Sequence, residues 1–220
     1  MTEVEIETPR GLARVHLQRA REPRAALILG HGAGGGVRAP DLRAAAEAAL
    51  AHEVSVALVE QPYRVAGRRS PAPANHLDEA WIAVVSRLRA RRLRGLPLIV
   101  GGRSSGARVA CRTAAQTGAA GVLCLAFPLD PPGRKSPAPT RLPELEGVSV
   151  PILIVQGSRD PFGMPSPSPG REVLAVAGDH SLRSSSAAVA LAVADWLERL
   201  PALSSQRSAG AAAVRRQGLA

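Results

Sequence analysis

Short apolar runs recur along the middle of the chain. Most are continuously apolar and bounded by turn residues, as expected of parallel strands that are covered on both faces. The runs are Ala25–Gly30, Val54–Val59, Pro97–Gly101, Gly121–Ala126, Pro151–Val155 and Glu172–Val176. The chain begins differently, because Val4–Glu7 and Ala13–Leu17 alternate polar with apolar residues around the turn Pro9-Arg10-Gly11. This alternation predicts an edge hairpin with one solvent-exposed face.

Apolar residues at helical spacing separate several of these runs. One set follows the i, i+4, i+7, i+8, i+11 spacing of a helix face, and a second set near the end of the chain does the same. The first set is Leu77, Trp81, Val84, Val85 and Leu88, and the second is Val189, Val193, Trp196, Leu197 and Leu200. Alternating strands and helices predict an α/β fold with a mostly parallel sheet and helices on both faces.

Segments rich in Pro, Gly and Arg mark the connections. Gln61–Asn75 and Pro128–Pro143 are predicted to be loops, and neither is long or apolar enough to form a helical lid. From Ser204 onward, small residues and Arg dominate without amphipathic spacing. The pattern therefore predicts a single domain over residues 1–203 and a disordered tail over residues 204–220.

Length and composition fit one globular domain. The chain has 220 residues, of which 45% are hydrophobic, and this is enough for one sizeable core. The formal net charge of +10 comes almost entirely from scattered arginines, and Lys135 is the only lysine. With 2% aromatic residues the chain lacks the stacking surfaces of single-strand binders, so nucleic acid is not predicted as a partner.

The cysteines and the first residues bear on location. Cys111 and Cys124 fall in a predicted helix and a predicted buried strand, and they form neither a disulfide framework nor a metal motif. The segment Met1–Glu5 is acidic without the apolar stretch of a signal peptide, and no run of about 18 apolar residues occurs. These features predict a cytoplasmic protein with no membrane contact and no metal.

A G-x-S-x-G pentapeptide is the strongest chemical signal. Gly102-Arg103-Ser104-Ser105-Gly106 follows the apolar run that ends at Gly101 and precedes a small-residue segment with helical character. Strand, sharp turn and helix in this order are typical of a nucleophile elbow. Ser104 is then the candidate nucleophile, and the backbone N–H of Ser105 is a candidate oxyanion donor. The alternative is a serine whose hydroxyl caps the start of the helix.

A candidate acid and a candidate base follow later strands. A serine nucleophile needs a histidine to accept its proton and an acid to hold the tautomer of that histidine. Asp160 comes just after the run that ends at Val155, and His180 precedes the last helix. Asp130 also follows a strand and is the alternative acid. Asp160 could instead belong to an ordinary Asp-Pro turn.

The other histidines are predicted to have no catalytic role. His16 lies in the hairpin, and His52 and His76 lie at helix ends beside polar or charged residues, so all three are predicted at the surface. His31 belongs to a glycine-rich loop and is predicted to be structural.

The glycine-rich loop Gly30–Gly36 allows two interpretations. In a hydrolase, its N–H groups, chiefly those of Ala33 and Gly34, would point toward an oxyanion. The same residues match G-x-G-x-x-G after a strand, with Glu60 at the end of the next strand, which would indicate dinucleotide binding. Against the second interpretation, four residues intervene before Pro40, a typical first helical residue, and the Ser, Asp and His remain unexplained.

The assembled motifs resemble the α/β-hydrolase superfamily, in which the residues follow the order Ser, Asp, His. More narrowly, the chain resembles the dienelactone-hydrolase-like group, which includes a testis-expressed and chromatin-complex subunit family. That group often carries a histidine at the position of Asp130. The matching stretches lie between residues 25 and 200 and are Gly30–Gly36, Glu60–Arg68, Gly101–Gly106, Phe127–Arg134 and Gly178–Leu182.

The resemblance implies an α/β-hydrolase fold with a minimal lid or none. It also leaves two functions open. The first is a serine hydrolase that cleaves small esters or thioesters through a Ser-His-Asp triad and an acyl-enzyme, without a cofactor. The second is a hydrolase-like binding or scaffold protein, because animal relatives in this group are described as complex subunits. The intact Ser, Asp and His favour the first, and dinucleotide binding is the remote alternative.

Overall fold

The computed structural model describes residues 1–131 and 139–203. Eight strands form one sheet in the order β1-β2-β4-β3-β5-β6-β7-β8. The hairpin strands pair antiparallel with each other and β2 pairs antiparallel with β4, whereas β3 to β8 are parallel. The strands are β1 (Thr2–Thr8), β2 (Gly11–Gln18), β3 (Ala25–Gly30), β4 (Val54–Glu60), β5 (Leu98–Arg103), β6 (Gly121–Leu125), β7 (Ile152–Gly157) and β8 (Arg171–Val176).

Helices cover both faces of this sheet. They are α1 (Pro40–Ala51), α2 (Pro62–Val65), α3 (Ala74–Ala90), α4 (Ser105–Thr117), α5 (Leu142–Glu146) and α6 (Ser186–Arg199). Helices α1 and α6 pack together on one face, and α3 packs beside α4 on the other. Trp196 is buried under the first pair and Trp81 under the second, so each face has its own apolar core.

The predicted strands and the two long predicted helices are confirmed. Every residue of β3 is buried, because helices cover the strand on both sides, and this explains its continuous apolar sequence. In the hairpin only alternate residues of β2 are buried, namely Ala13, Val15 and Leu17. Several strands extend by one or two residues beyond the predicted runs, and those beside the candidate site residues are β5, which continues through Arg103, and β7, which continues through Gly157.

Two predicted loops contain helical turns. Within Gln61–Asn75, helix α2 begins at Pro62, because proline fits the first position of a helix and the Gln61 carbonyl accepts the first N–H groups. Helix α3 also begins inside this stretch, at Ala74. Within Pro128–Pro143, helix α5 begins at Leu142, and residues 132–138 lie outside the described part. The predicted tail, 204–220, also lies outside it.

The cysteines lie where they were predicted, one in a helix and one in a buried strand. Cys111 on α4 and Cys124 on β6 are both buried and free, with their Sγ atoms 3.5 Å apart. Within the ranges 1–131 and 139–203, no helix has the combined length and apolarity needed to cross a bilayer.

Candidate active site

Ser104 occupies a strained turn between β5 and α4. Its backbone has φ +52° and ψ −112°, a region that residues with a Cβ seldom adopt. The surrounding structure holds it there: the Ser104 N–H donates to the Leu125 carbonyl at 2.9 Å, and the Arg108 N–H donates to the Ser104 carbonyl at 3.2 Å. The turn therefore presents the side chain of Ser104 at the carboxyl end of the sheet.

The glycines beside Ser104 make room for neighbouring backbone. A Cβ on Gly102 would lie 2.5 Å from the carbonyl oxygen of Gly30, and one on Gly106 would also strike this oxygen. Both glycines thus let β3 and its loop approach the turn, which is the packing expected of a nucleophile elbow.

The structure brings Ser104, His180 and Asp160 together. The Ser104 Oγ lies 2.9 Å from the His180 Nε2, and the His180 Nδ1 lies 2.8 Å from the Asp160 Oδ2. Both distances are within hydrogen-bond range. The Asp160 side chain is 1% exposed and that of His180 is 19% exposed, so the histidine alone of these two retains access to solvent. This arrangement can remove a proton from a serine hydroxyl.

The carboxylate of Asp160 is fixed through both oxygens. The Phe162 N–H donates to Oδ1 at 2.9 Å, and the Gln156 Nε2 donates to Oδ2 at 2.9 Å. The same Gln156 nitrogen also lies beside the carbonyl oxygens of Phe127 and Gly163. Because all these neighbours are acceptors, they identify this atom of the amide as the nitrogen and not the oxygen. Sequence reasoning missed Gln156, although a polar residue in an otherwise apolar strand was a usable signal.

Asp130, the alternative acid, occupies a different place. It is exposed, and its backbone N–H donates to the Phe162 carbonyl at 2.8 Å. Its Oδ2 faces Gly163, at 3.1 Å from where a Cβ on that glycine would lie. The carboxylate in contact with His180 is therefore that of Asp160.

The glycine-rich loop is held beside the elbow by side chains. The Gly32 carbonyl accepts a bond from the Gly35 N–H at 3.2 Å, and the Tyr63 hydroxyl donates to the Ala33 carbonyl at 2.9 Å. Among the described residues, the N–H groups of Ala33 and Gly34 have no hydrogen-bond partner. These groups, together with the N–H of Ser105 at the start of α4, are available as donors to a bound anion.

His31 has the structural position predicted for it. Its side chain is buried, its Nδ1 lies 2.8 Å from the Gly32 carbonyl, and the Gln61 N–H donates to its Nε2 at 3.1 Å. Because Nε2 accepts a bond, the network assigns the proton to Nδ1. Burial lowers the pKa of His31, and the hydrogen bond to Gly32 only partly opposes this.

The titration of His31 gives a testable prediction for stability. Below about pH 6.5 this histidine binds a proton in the unfolded chain but not in the folded chain. The free energy of unfolding therefore falls as the pH drops toward the lowered pKa. One proton contributes at most about 1.4 kcal/mol per pH unit. The measurement is urea unfolding between pH 7.5 and 5.5. The free energy of unfolding should fall less steeply with decreasing pH in His31→Gln than in the parent, whereas His76→Gln should match the parent. If the free energy of unfolding had the same pH dependence in the parent and in His31→Gln, the lowered pKa of His31 would be contradicted.

His16 is more enclosed than predicted. Its side chain is 14% exposed, and its Nε2 lies 3.4 Å from Glu60 Oε1. Glu60, the acidic residue on which the dinucleotide interpretation depends, faces this histidine and Arg14. Helix α1 begins at Pro40, after the intervening residues that argued against that interpretation.

A family model described as an alpha/beta hydrolase domain matches residues 23–189 of this chain. None of the curated proteins matches the sequence.

Several solved structures share the fold. A lid-less α/β serine hydrolase from Xanthomonas campestris is 19% identical, with 91% of this chain and 95% of that chain covered and a TM-score of 0.72. An esterase from Pyrococcus furiosus is 15% identical, with 90% and 92% covered and a TM-score of 0.70. A dienelactone hydrolase from Anabaena variabilis is 15% identical, with 90% and 97% covered and a TM-score of 0.68. Because these sequence identities are low, the three structures show only that the fold is similar.

Proposed function

This chain belongs to the alpha/beta hydrolase domain family, and on that premise we propose that it is a serine hydrolase of small esters or thioesters. The observation that carries the proposal is the hydrogen-bonded series Ser104, His180, Asp160. In this series Ser104 is the nucleophile, His180 the general base and Asp160 the acid that orients the base.

Acylation proceeds from these positions. The Ser104 Oγ attacks the carbonyl carbon of the substrate while the His180 Nε2 takes the hydroxyl proton, and Asp160 stabilises the resulting imidazolium through Nδ1–H. The N–H groups of Ala33, Gly34 and Ser105 stabilise the negative oxygen of the tetrahedral intermediate, where one preorganised donor can contribute about 3–4 kcal/mol. His180 then returns the proton to the leaving alcohol or thiol, and the acyl group stays on Ser104.

Deacylation reverses the roles with water as the nucleophile. His180 accepts a proton from a water molecule as the water oxygen attacks the acyl carbon. The carbon–oxygen bond to Ser104 breaks, and the proton passes from His180 to the Ser104 oxygen. The products are a carboxylic acid and the free serine.

Short or compact acyl groups fit this site better than long chains. In the described part of the chain, the segment between β4 and β5 contains α3, which packs on the sheet beside α4, and the short helix α2. The segment between β6 and β7 contains α5, and α2 and α5 have only 4 and 5 residues. Helices of that length cannot fold over a site as an apolar lid. A long acyl chain would thus lack an apolar surface to bind against.

The narrower dienelactone-hydrolase-like assignment, including the testis-expressed and chromatin-complex subunit family, is part of this proposal. Two residues of the Glu60–Arg68 stretch that carries the resemblance support the glycine-rich loop: Gln61 donates to His31, and Tyr63 donates to the Ala33 carbonyl. A motif that positions candidate oxyanion donors is in keeping with catalysis. The free Cys111 and Cys124 support a reducing cytoplasm as the location.

A fluorophosphonate probe tests the proposed function. The probe should label the parent protein covalently and should fail to label Ser104→Ala, because only a serine activated by a base attacks the phosphorus atom. Ser149→Ala, which removes an exposed hydroxyl elsewhere, should be labelled like the parent. A parent protein that resists the probe would instead favour the scaffold function.

A further inference from the structure

Arg103 precedes Ser104, and its guanidinium joins three parts of the candidate site. Its Nε lies 2.9 Å from Asp41 Oδ2 in α1, and its Nη2 donates to the His180 carbonyl at 2.9 Å, across 77 residues of sequence. Its Nη1 packs against the glycine-rich loop, 2.9 Å from where a Cβ on Gly32 would lie. The side chain is 17% exposed, so this contact set is largely shielded from water.

Asp41 is the buried anchor of this arrangement. Its side chain is fully buried near the start of α1, and the Leu42 N–H donates to its Oδ1 at 2.9 Å. Over the described ranges, Arg103 is its only ion-pair partner. Burial raises the pKa of the Asp41 carboxyl, and the charge of Arg103 opposes that rise. An unpaired carboxylate here would be costly, which ties the position of Asp41 to that of Arg103.

His180 needs such support because of where it lies. It follows Gly178, with φ +125°, in the connection between β8 and α6, and regular structure resumes only at the 3-10 turn Arg183–Ser185. The imidazole must nevertheless stay within hydrogen-bond distance of both Ser104 and Asp160. A bond to the backbone carbonyl of His180 fixes the Cα from which the ring extends.

We propose, on the basis of the proposed hydrolase function, that Arg103 is a positioning residue that uses buried Asp41 as its anchor. It fixes the backbone of His180, and with it the glycine-rich loop, relative to Ser104. Arginine suits this role because its planar fork carries several donors at fixed angles, whereas a lysine offers one point charge on a flexible stem.

The decisive variant replaces both charged partners. Arg103→Met alone would leave Asp41 buried and unpaired, so the test uses Arg103→Met/Asp41→Leu, because apolar replacements of buried ion pairs are often neutral for stability. We expect a folded protein whose kcat for p-nitrophenyl acetate is about 100-fold below the parent, the effect of a displacement of about 1 Å, with KM within about twofold. The matched control, Arg10→Met/Glu79→Leu, removes an exposed ion pair and should keep the parent kcat.

A second variant covers the case in which the double variant fails to fold. Arg103→Lys keeps a positive charge beside Asp41 but cannot reproduce the fork toward His180 and Gly32. We expect a folded protein with kcat reduced by about tenfold or more. A folded Arg103→Lys or double variant with the parent kcat would overturn the proposal.

An NMR measurement separates this proposal from the proposed function. The downfield Nδ1 proton of His180, assigned by its disappearance in His180→Gln, reports the bond to Asp160 without any turnover. It should be sharp in the parent and broadened or lost in the folded double variant or in Arg103→Lys. A parent without Ser104-dependent hydrolysis would refute the hydrolase function, yet the resonance would still decide whether Arg103 positions His180. An unchanged resonance in a folded variant would count against Arg103.

Discussion

Replacing Ser104 with alanine is expected to lower kcat/KM for p-nitrophenyl acetate by about 10⁴-fold or more. In the proposed mechanism the Ser104 Oγ forms the acyl-enzyme, and it is the atom hydrogen-bonded to the His180 Nε2. Stability should change little, because alanine keeps the Cβ that already tolerates φ +52°. The loss of one hydrogen bond, about 1 kcal/mol, corresponds to a melting temperature within about 4 °C of the parent.

The measurement compares initial rates and melting temperatures of the parent, Ser104→Ala and Ser149→Ala. Ser149→Ala should match the parent in both, since its hydroxyl lies on an exposed connection. If Ser104→Ala hydrolysed the ester at the parent rate, the observed activity would not depend on the proposed nucleophile.

The sequence was most informative about candidate site residues that lie just after the ends of strands. Ser104, Asp160 and His180 each follow a predicted strand, and parallel strands bring their carboxyl ends to one edge of the sheet. Proximity of the three side chains was therefore predictable from the order of elements alone. The choice between Asp160 and Asp130 was not, because both follow strands and only side-chain geometry distinguishes them.

The pairing of Asp41 with Arg103 could not be predicted from the sequence, again because it depends on side-chain geometry. Asp41 directly follows Pro40 and would pass for an acid that favours a helix N-terminus. Its pairing with Arg103 depends on how α1 packs over the elbow, which a single sequence does not reveal. Helix α2 was missed because Pro and Gly were read as loop signals, although proline also begins helices.

Replacing Asp160 with asparagine is expected to lower kcat about 10³- to 10⁴-fold, far more than the same change at Asp130. The Phe162 N–H favours an oxygen at the Oδ1 position, so the asparagine NH₂ would face the His180 Nδ1 and the Gln156 NH₂. Donors would then meet donors, and His180 could satisfy the contact only as the Nε2–H tautomer. That tautomer cannot accept the proton of Ser104.

The matched variant Asp130→Asn should stay within about twofold of the parent kcat, because the Asp130 side chain is exposed and its hydrogen bond to Phe162 uses the backbone N–H. Rates for both variants are measured at pH 7.5. Melting temperatures show whether each variant is folded. The mismatched donors in Asp160→Asn are expected to lower its free energy of unfolding by about 1–3 kcal/mol. The reverse ranking would move the acid to the end of β6, and the sheet order and the elbow at Ser104 would be unaffected.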